Sequence, residues 1–165
     1  MAYNTIKLKN YSDVIVEYEA YETIYPGMLV EPRSGYSTIQ KHATAGDNAI
    51  PMIALEDSLQ GKDILDAYVA GDIVKVWIPG RGDEGYVLLA DEENVAIGDF
   101  LESNGDGYFR KHVAQEASAG SAAAEVSIKP LRIVAQALEA LDLSSLSVSE
   151  SESYPTRQFL RVRFV

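Results

Sequence analysis

Cysteine is absent from the 165-residue chain. That single absence excludes disulfides, thiolate metal sites and cysteine nucleophiles. Histidine is nearly absent, with only His42 and His112, so Ser-His chemistry has little to draw on. Neither histidine stands at a metal-ligating spacing from further ligands, and both read as solvated strand residues. Long apolar runs are also missing. No stretch approaches the ~20 apolar residues that span a bilayer, and the first nine residues hold no run of signal-peptide length. The expectation is a soluble protein made in the cytoplasm, with no membrane partner. Positive charge is scarce: 14 basic against 25 acidic residues give a net charge of −11. Phosphate binding relies on clustered Lys and Arg, so free nucleic acid is not an expected partner.

What the chain does hold is a series of short apolar runs punctuated by glycine. Val14-Ile15-Val16-Glu17-Tyr18 is rich in β-branched residues. Met28-Leu29-Val30 follows Pro26-Gly27 and stops at Pro32. Ile73–Ile78 follows Gly71-Asp72 and stops at Pro79-Gly80. Tyr86–Ala90 follows Gly85, and Leu160, Val162 and Phe164 alternate with Arg161 and Arg163. Runs of this length between turn residues predict strands, and many in one domain predict an all-β barrel or sandwich. Residues 73–90 read as the strongest hairpin, with Val74, Val76 and Ile78 on one face and Lys75 and Trp77 on the other. Helix is scarce: a strand to about Ala137 followed by a short helical turn, and another short turn within Asp57–Tyr68. The small-residue stretch 116–125 and the serine-rich, acidic stretch 143–153 read as flexible surface loops.

The two halves share a phrase. Gly27-Met28-Leu29-Val30-Glu31, Gly35-Tyr36 and Lys41-His42 are echoed by Gly98-Asp99-Phe100-Leu101-Glu102, Gly107-Tyr108 and Lys111-His112, 70 to 72 residues downstream. Each half then reaches Ala-Leu-Glu, at Ala54-Leu55-Glu56 and Ala137-Leu138-Glu139. This pattern is one unit used twice: glycine turn, strand, glycine turn, strand, long return. Repetition points to a scaffold, because a catalytic constellation needs the halves to differ chemically.

The short motifs point the same way. Gly80-Arg81-Gly82-Asp83-Glu84-Gly85 matches G-x-G-x-x-G, but dinucleotide binding needs a helix next, and Tyr86-Val87-Leu88-Leu89 reads as a strand. Arg81-Gly82-Asp83 is the tripeptide of some adhesive contacts; with the abundant tyrosines it motivates an alternative function, a surface-displayed receptor- or glycan-binding module. Glu102–Gly107 resembles half a calcium loop but lacks the first Asp and the twelfth-position Glu, and reads as a turn. A carboxylate-based hydrolase would need two carboxylates about 5–9 Å apart in a deep cleft.

The sole tryptophan, Trp77, belongs either to an outer contact face or to a second buried face. Arg157, Arg161 and Arg163 give the C-terminal strand a basic character that guards an edge against aggregation or pairs with acidic loops. The N-terminal Tyr3-Asn4-Thr5-Ile6-Lys7-Leu8-Lys9 alternates apolar and basic residues.

Val74–Glu84 (Val-Lys-Val-Trp-Ile-Pro-Gly-Arg-Gly-Asp-Glu) and Leu89–Gly107 resemble the capsid decoration, or cement, proteins of tailed bacterial and archaeal viruses. So do Ala54-Leu55-Glu56-Asp57, Ala137–Asp142 and the closing Arg161–Val165. The likeness covers most of residues 27–165. It implies a small β-barrel or β-tulip fold, no cofactor, no enzymatic site, and homotrimers seated on the outer surface of an expanded shell, bridging major capsid proteins. On this reading residues 1–26 form an arm with the first strands and 27–165 the decoration domain. The expected capsid or subunit interface is Tyr3, Ile6, Lys7, Leu8, Lys9, Trp77, Arg161 and Arg163. Deleting residues 2–10 is expected to weaken shell binding and leave the fold intact.

Overall fold

The computed structural model describes residues 5–11, 13–114, 129–145 and 158–165. Tyr3, Arg157, the 116–125 loop and residues 146–153 of the second loop lie outside them. Thirteen strands are described. The first seven are β1 (Lys7–Lys9), β2 (Ile15–Ala20), β3 (Val30–Pro32), β4 (Thr38–Lys41), β5 (Ile53–Ala54), β6 (Ile73–Trp77) and β7 (Glu84–Leu88). They are followed by β8 (Asn94–Val95), β9 (Phe100–Ser103), β10 (Phe109–Lys111), β11 (Ala135–Ala137), β12 (Leu141–Asp142) and β13 (Phe159–Phe164). One 3-10 turn, Ser58–Gln60, falls in the stretch expected to hold a turn. No α-helix occurs among the described residues. The helical turn expected after Ala137 is instead a bend leading into β12. The Leu138 N–H donates to the Arg161 carbonyl at 2.9 Å, a bond that ties the backbone to β13.

The strands form a six-stranded sheet (β1-β7-β13-β11-β9-β10), a five-stranded sheet (β3-β4-β2-β6-β5) and a β12-β8 pair. Among the described residues no sheet closes into a barrel. In the five-stranded sheet the edges β3 and β5 approach through one bridge, Leu29↔Ile53.

The expected 73–90 hairpin does not form. β6 lies in the five-stranded sheet and β7 in the six-stranded one, and the glycine-rich loop between them crosses from sheet to sheet. Two features explain the crossing. The buried Asp83 carboxylate accepts the Gly80 and Tyr11 N–H groups, each at 2.8 Å, and pins the corner. Gly85 lets the Trp77 ring lie over β7, since a Cβ there would stand 2.9 Å from Trp77 Cζ3.

The repeated phrase reappears as repeated register. Val30↔Lys41 and Glu31↔Gln40 on β3–β4 recur as Leu101↔Lys111 and Glu102↔Arg110 on β9–β10. Ala54↔Val76 on β5–β6 recurs as Ala137↔Val162 on β11–β13. Even the parallel contact Ala20↔Ile39 has its counterpart in the bridge Leu89↔Phe109. The repeated unit is therefore larger than a hairpin: β2 through β6 and β7 through β13 follow one plan.

One apolar core serves both units and includes Met28, Leu29, Ile53, Val74, Trp77, Leu88, Phe109, Phe159 and Phe164. Trp77 meets Phe164 edge to face at 5.4 Å between centroids, a favoured aromatic arrangement. The described part of the N-terminal segment packs into this body. β1 pairs with β7, Ile6 is fully buried, and β2 sits inside the five-stranded sheet between β4 and β6. Leu143, expected to open a flexible loop, is buried and bonded to the Glu93 carbonyl at 2.8 Å.

Candidate interaction surface

Of the eight expected interface residues, five lie on β1 and β13, the two strands that flank β7: Lys7, Leu8, Lys9, Arg161 and Arg163. Lys9 opposes Glu84 on β7, and Glu84 opposes Arg163 on β13. Directly opposed residues share a sheet face. Arg161 and Arg163 donate to the two oxygens of Glu84 at 2.7 and 3.0 Å. Those two bonds, Arg161 first, hold the Glu84 carboxyl below its usual range. Glu84 is buried, whereas both arginines are about half exposed. Lys9 lies 5.5 Å from the Tyr11 ring centroid, a cation–π distance, and Tyr11 is 76% exposed. Leu8 is exposed, and Lys7 pairs with Asp13 at 2.7 Å. Arg161 and Arg163 thus share one carboxylate, with Lys9 opposite it in register on β1, making a basic patch on an acidic chain.

Two expected members are not surface residues. Ile6 is buried, with its backbone N–H held by the Glu56 carboxylate at 3.1 Å. Trp77 is completely buried because the β7–β13 unit covers the face it shares with Lys75. Its Nε1 has no hydrogen-bond partner among the described residues, so its role is packing.

A second exposed group was not singled out from the sequence. Arg33 lies between two tyrosine rings, with Cζ 3.7 Å from the Tyr21 centroid and 4.1 Å from that of Tyr36. Tyr36, on the turn between β3 and β4, is 63% exposed. Tyr and Arg are enriched at protein interfaces.

The buried carboxylates have structural work. Glu102 on β9 has no exposed side-chain surface and binds Arg110, Arg132 and His112. Its Oε1 accepts from Arg110 Nε and Nη2 at 3.0 and 2.8 Å, and His112 Nδ1 stands 2.6 Å from Oε2. Burial alone would raise the Glu102 carboxyl. The His112 and Arg110 bonds and the Arg132 and Arg110 charges outweigh it and hold the group below its ordinary value. The first unit carries a weaker version: Gln40 donates to Glu31 at 3.0 Å, and His42 lies 3.6 Å from that carboxylate. Both histidines therefore belong to ionic clusters and not to solvated faces, and His42 is itself buried. With its oxygens so engaged, Glu102 supplies no free ligand to the 102–107 turn. Asp57 pairs with Lys75, and Asp83 is held in the loop corner.

The Asp83 arrangement also corrects the adhesive reading of Arg81-Gly82-Asp83. An acid that is fully buried and bonded to two backbone amides is not displayed to a receptor. Two cavities border the histidines. One of about 250 Å³ is lined by Glu31, His42, Asn48, Ile50 and Met52, and one of about 200 Å³ by His112, Lys129, Pro130, Arg132 and Ile133. Both are smaller than the ~300 Å³ lower bound of ordinary ligand pockets. Among the described residues no group of three or more His, Asp or Glu is placed to hold a metal ion.

No protein-family description and no curated protein sequence matches the chain. A solved structure does. The fold is similar to that of the head fiber gp8.5 N base of bacteriophage phi29. The TM-score is 0.52 at 13% sequence identity, and the alignment covers 93% of this chain and 95% of the phi29 one. At that identity the likeness is one of fold, and it extends through both units.

Proposed function

We propose that this chain is a virion structural protein. It sits on the outer surface of an assembled, expanded capsid as a trimer bridging major capsid proteins, and it stabilises the shell without catalysis. The observation that carries the reading is the near full-length fold likeness to a protein described as a phage head fiber base. The resemblance of residues 27–165 to capsid decoration proteins supports it independently. So does the internal chemistry: buried acids are spent on backbone corners and arginine pairs, and the exposed Lys9, Tyr11, Arg161 and Arg163 lie along the β1-β7-β13 side of one sheet.

The mechanism is linkage. A protein that binds only the assembled shell stabilises it by about 4 kcal/mol per site at a thousand-fold excess over Kd. A trimer adds avidity through simultaneous contacts. The contact surface in this reading is the Lys7-Leu8-Lys9, Arg161 and Arg163 edge with Tyr11.

Co-sedimentation with purified expanded capsids tests it. The chain is expected to bind saturably to expanded shells and not to free capsid subunits. Lys9→Glu combined with Arg163→Gln should weaken binding at least about ten-fold, a loss of ~1.4 kcal/mol, with an unchanged circular dichroism spectrum. No binding to shells, or equal binding by the substituted chain, contradicts the proposal or its surface respectively.

A further inference from the structure

The internal repeat exposes a vacancy. In the second unit the edge of β7 is covered by β1: the Tyr86 N–H donates to the Ile6 carbonyl at 2.9 Å, and Lys7 opposes Gly85. The first unit has the same ladder. Ile15↔Trp77, Val16↔Val76 and Glu17↔Lys75 on β2–β6 correspond to Glu84↔Arg163, Gly85↔Val162 and Tyr86↔Arg161 on β7–β13. Glu17 therefore occupies the place of Tyr86. Val14 accepts from the Ile78 N–H and Ala20 donates to the Asp72 carbonyl, so the even-numbered residues of this strand face β6. The backbone groups of Ile15 and Glu17 face the other way. On that side β4 pairs with β2 only from Glu19 onward, at Glu19↔Thr38. Among the described residues nothing pairs with β2 there before Glu19. Val14 and Ile15 are 46% and 42% exposed. An open strand edge with exposed apolar side chains is a template for another strand.

We infer that the Val14–Glu17 edge of β2 is a docking site for an extended, lysine- or arginine-bearing segment of a partner protein, added as β1 is added to β7. Charge selects the occupant. Glu17 and Glu19 alternate on the exposed face of β2, and a second copy of β2 pairing antiparallel would set glutamates against glutamates, which is destabilising. β1, the strand that fills the equivalent place, is Lys-Leu-Lys. Main-chain bonds supply affinity in such strand addition and side-chain pairing supplies the choice of partner. The inference rests on strand register and is independent of the capsid reading.

The probe is a fluorescent peptide of residues 5–11 (Thr-Ile-Lys-Leu-Lys-Asn-Tyr), titrated onto the full chain. Saturable binding is expected, with protection of the Ile15 and Glu17 amides against hydrogen exchange. Glu17→Pro removes the outward N–H and leaves the β6 ladder intact, since proline is tolerated where an edge N–H faces solvent; it should weaken binding at least ten-fold. Glu17→Lys with Glu19→Lys, which keeps every backbone donor, should weaken it comparably and keeps the test decisive if the proline variant does not fold. Absence of binding, binding unaffected by both variants, or protection lost and regained at Tyr86 (strand exchange at β7) overturns the inference.

Discussion

Glu102 is the residue on which the second unit's interior depends. Its carboxylate is the common partner of Arg110, Arg132 and His112. Removing one member of a buried ionic cluster leaves uncompensated charge and costs about 3–5 kcal/mol, so Glu102→Gln should lower stability at neutral pH by that order in urea unfolding. The pH dependence follows from the depressed folded-state pKa. The ionised group's contribution is fully present above the ordinary carboxyl pKa of 4.5 and lost as pH falls through the lower folded value. Unsubstituted protein should therefore lose stability steeply below about pH 4.5, and Glu102→Gln should flatten that limb. An equally steep acid limb in both proteins would contradict this assignment. At this scale the sequence was only partly legible. The echo of Glu31 and His42 in Glu102 and His112 was visible, but the pairing within each half needed the strand register. Trp77 shows the opposite failure. Alternation placed it correctly on the Lys75 face, yet only the packing of one unit on the other decides that this face is covered.

Among the elements, β1 is the one whose partner the sequence least reveals. Its alternating basic and apolar residues suggested an arm, because sequence shows a strand's exposed side chains but not its partner. Ile6 is buried beside Gly27, whose Cβ position lies 3.5 Å from Ile6 Cδ1. Ile6→Ala should destabilise the fold by about 2–5 kcal/mol, and deleting residues 2–10 should lower the melting temperature as well as shell binding. A deletion variant that melts unchanged would contradict the integral role of β1. Strand existence was legible from glycine-bounded apolar runs at β6 and β7 and from apolar–basic alternation at β13. Pairing was not: β2 with β6 and β7 with β13 join segments separated by more than fifty residues, whereas the local reading favoured a 73–90 hairpin. The turns at Gly35 and Gly105–Gly107 were the exception, since short connections determine the β3–β4 and β9–β10 partners.

For the whole molecule, two like units share one core, and charge is arranged unevenly on its surface. A net charge of −11 coexists with a basic edge formed by Lys9, Arg161 and Arg163. Composition excluded thiol chemistry and the motif survey removed the nucleotide loop, but neither foretold that the repeat would span five strands in each half. The register matches that reveal this also identify the β2 edge that no described residue pairs, because one unit serves as the template for the other. The phi29 head fiber base has a similar fold over nearly the same length. Cryo-electron microscopy of virus particles carrying this protein is the most direct test. The account predicts density for it in three-fold groups on the outside of the expanded shell, with the β1-β7-β13 edge against the capsid; density confined to the interior, or none on the head, would contradict it.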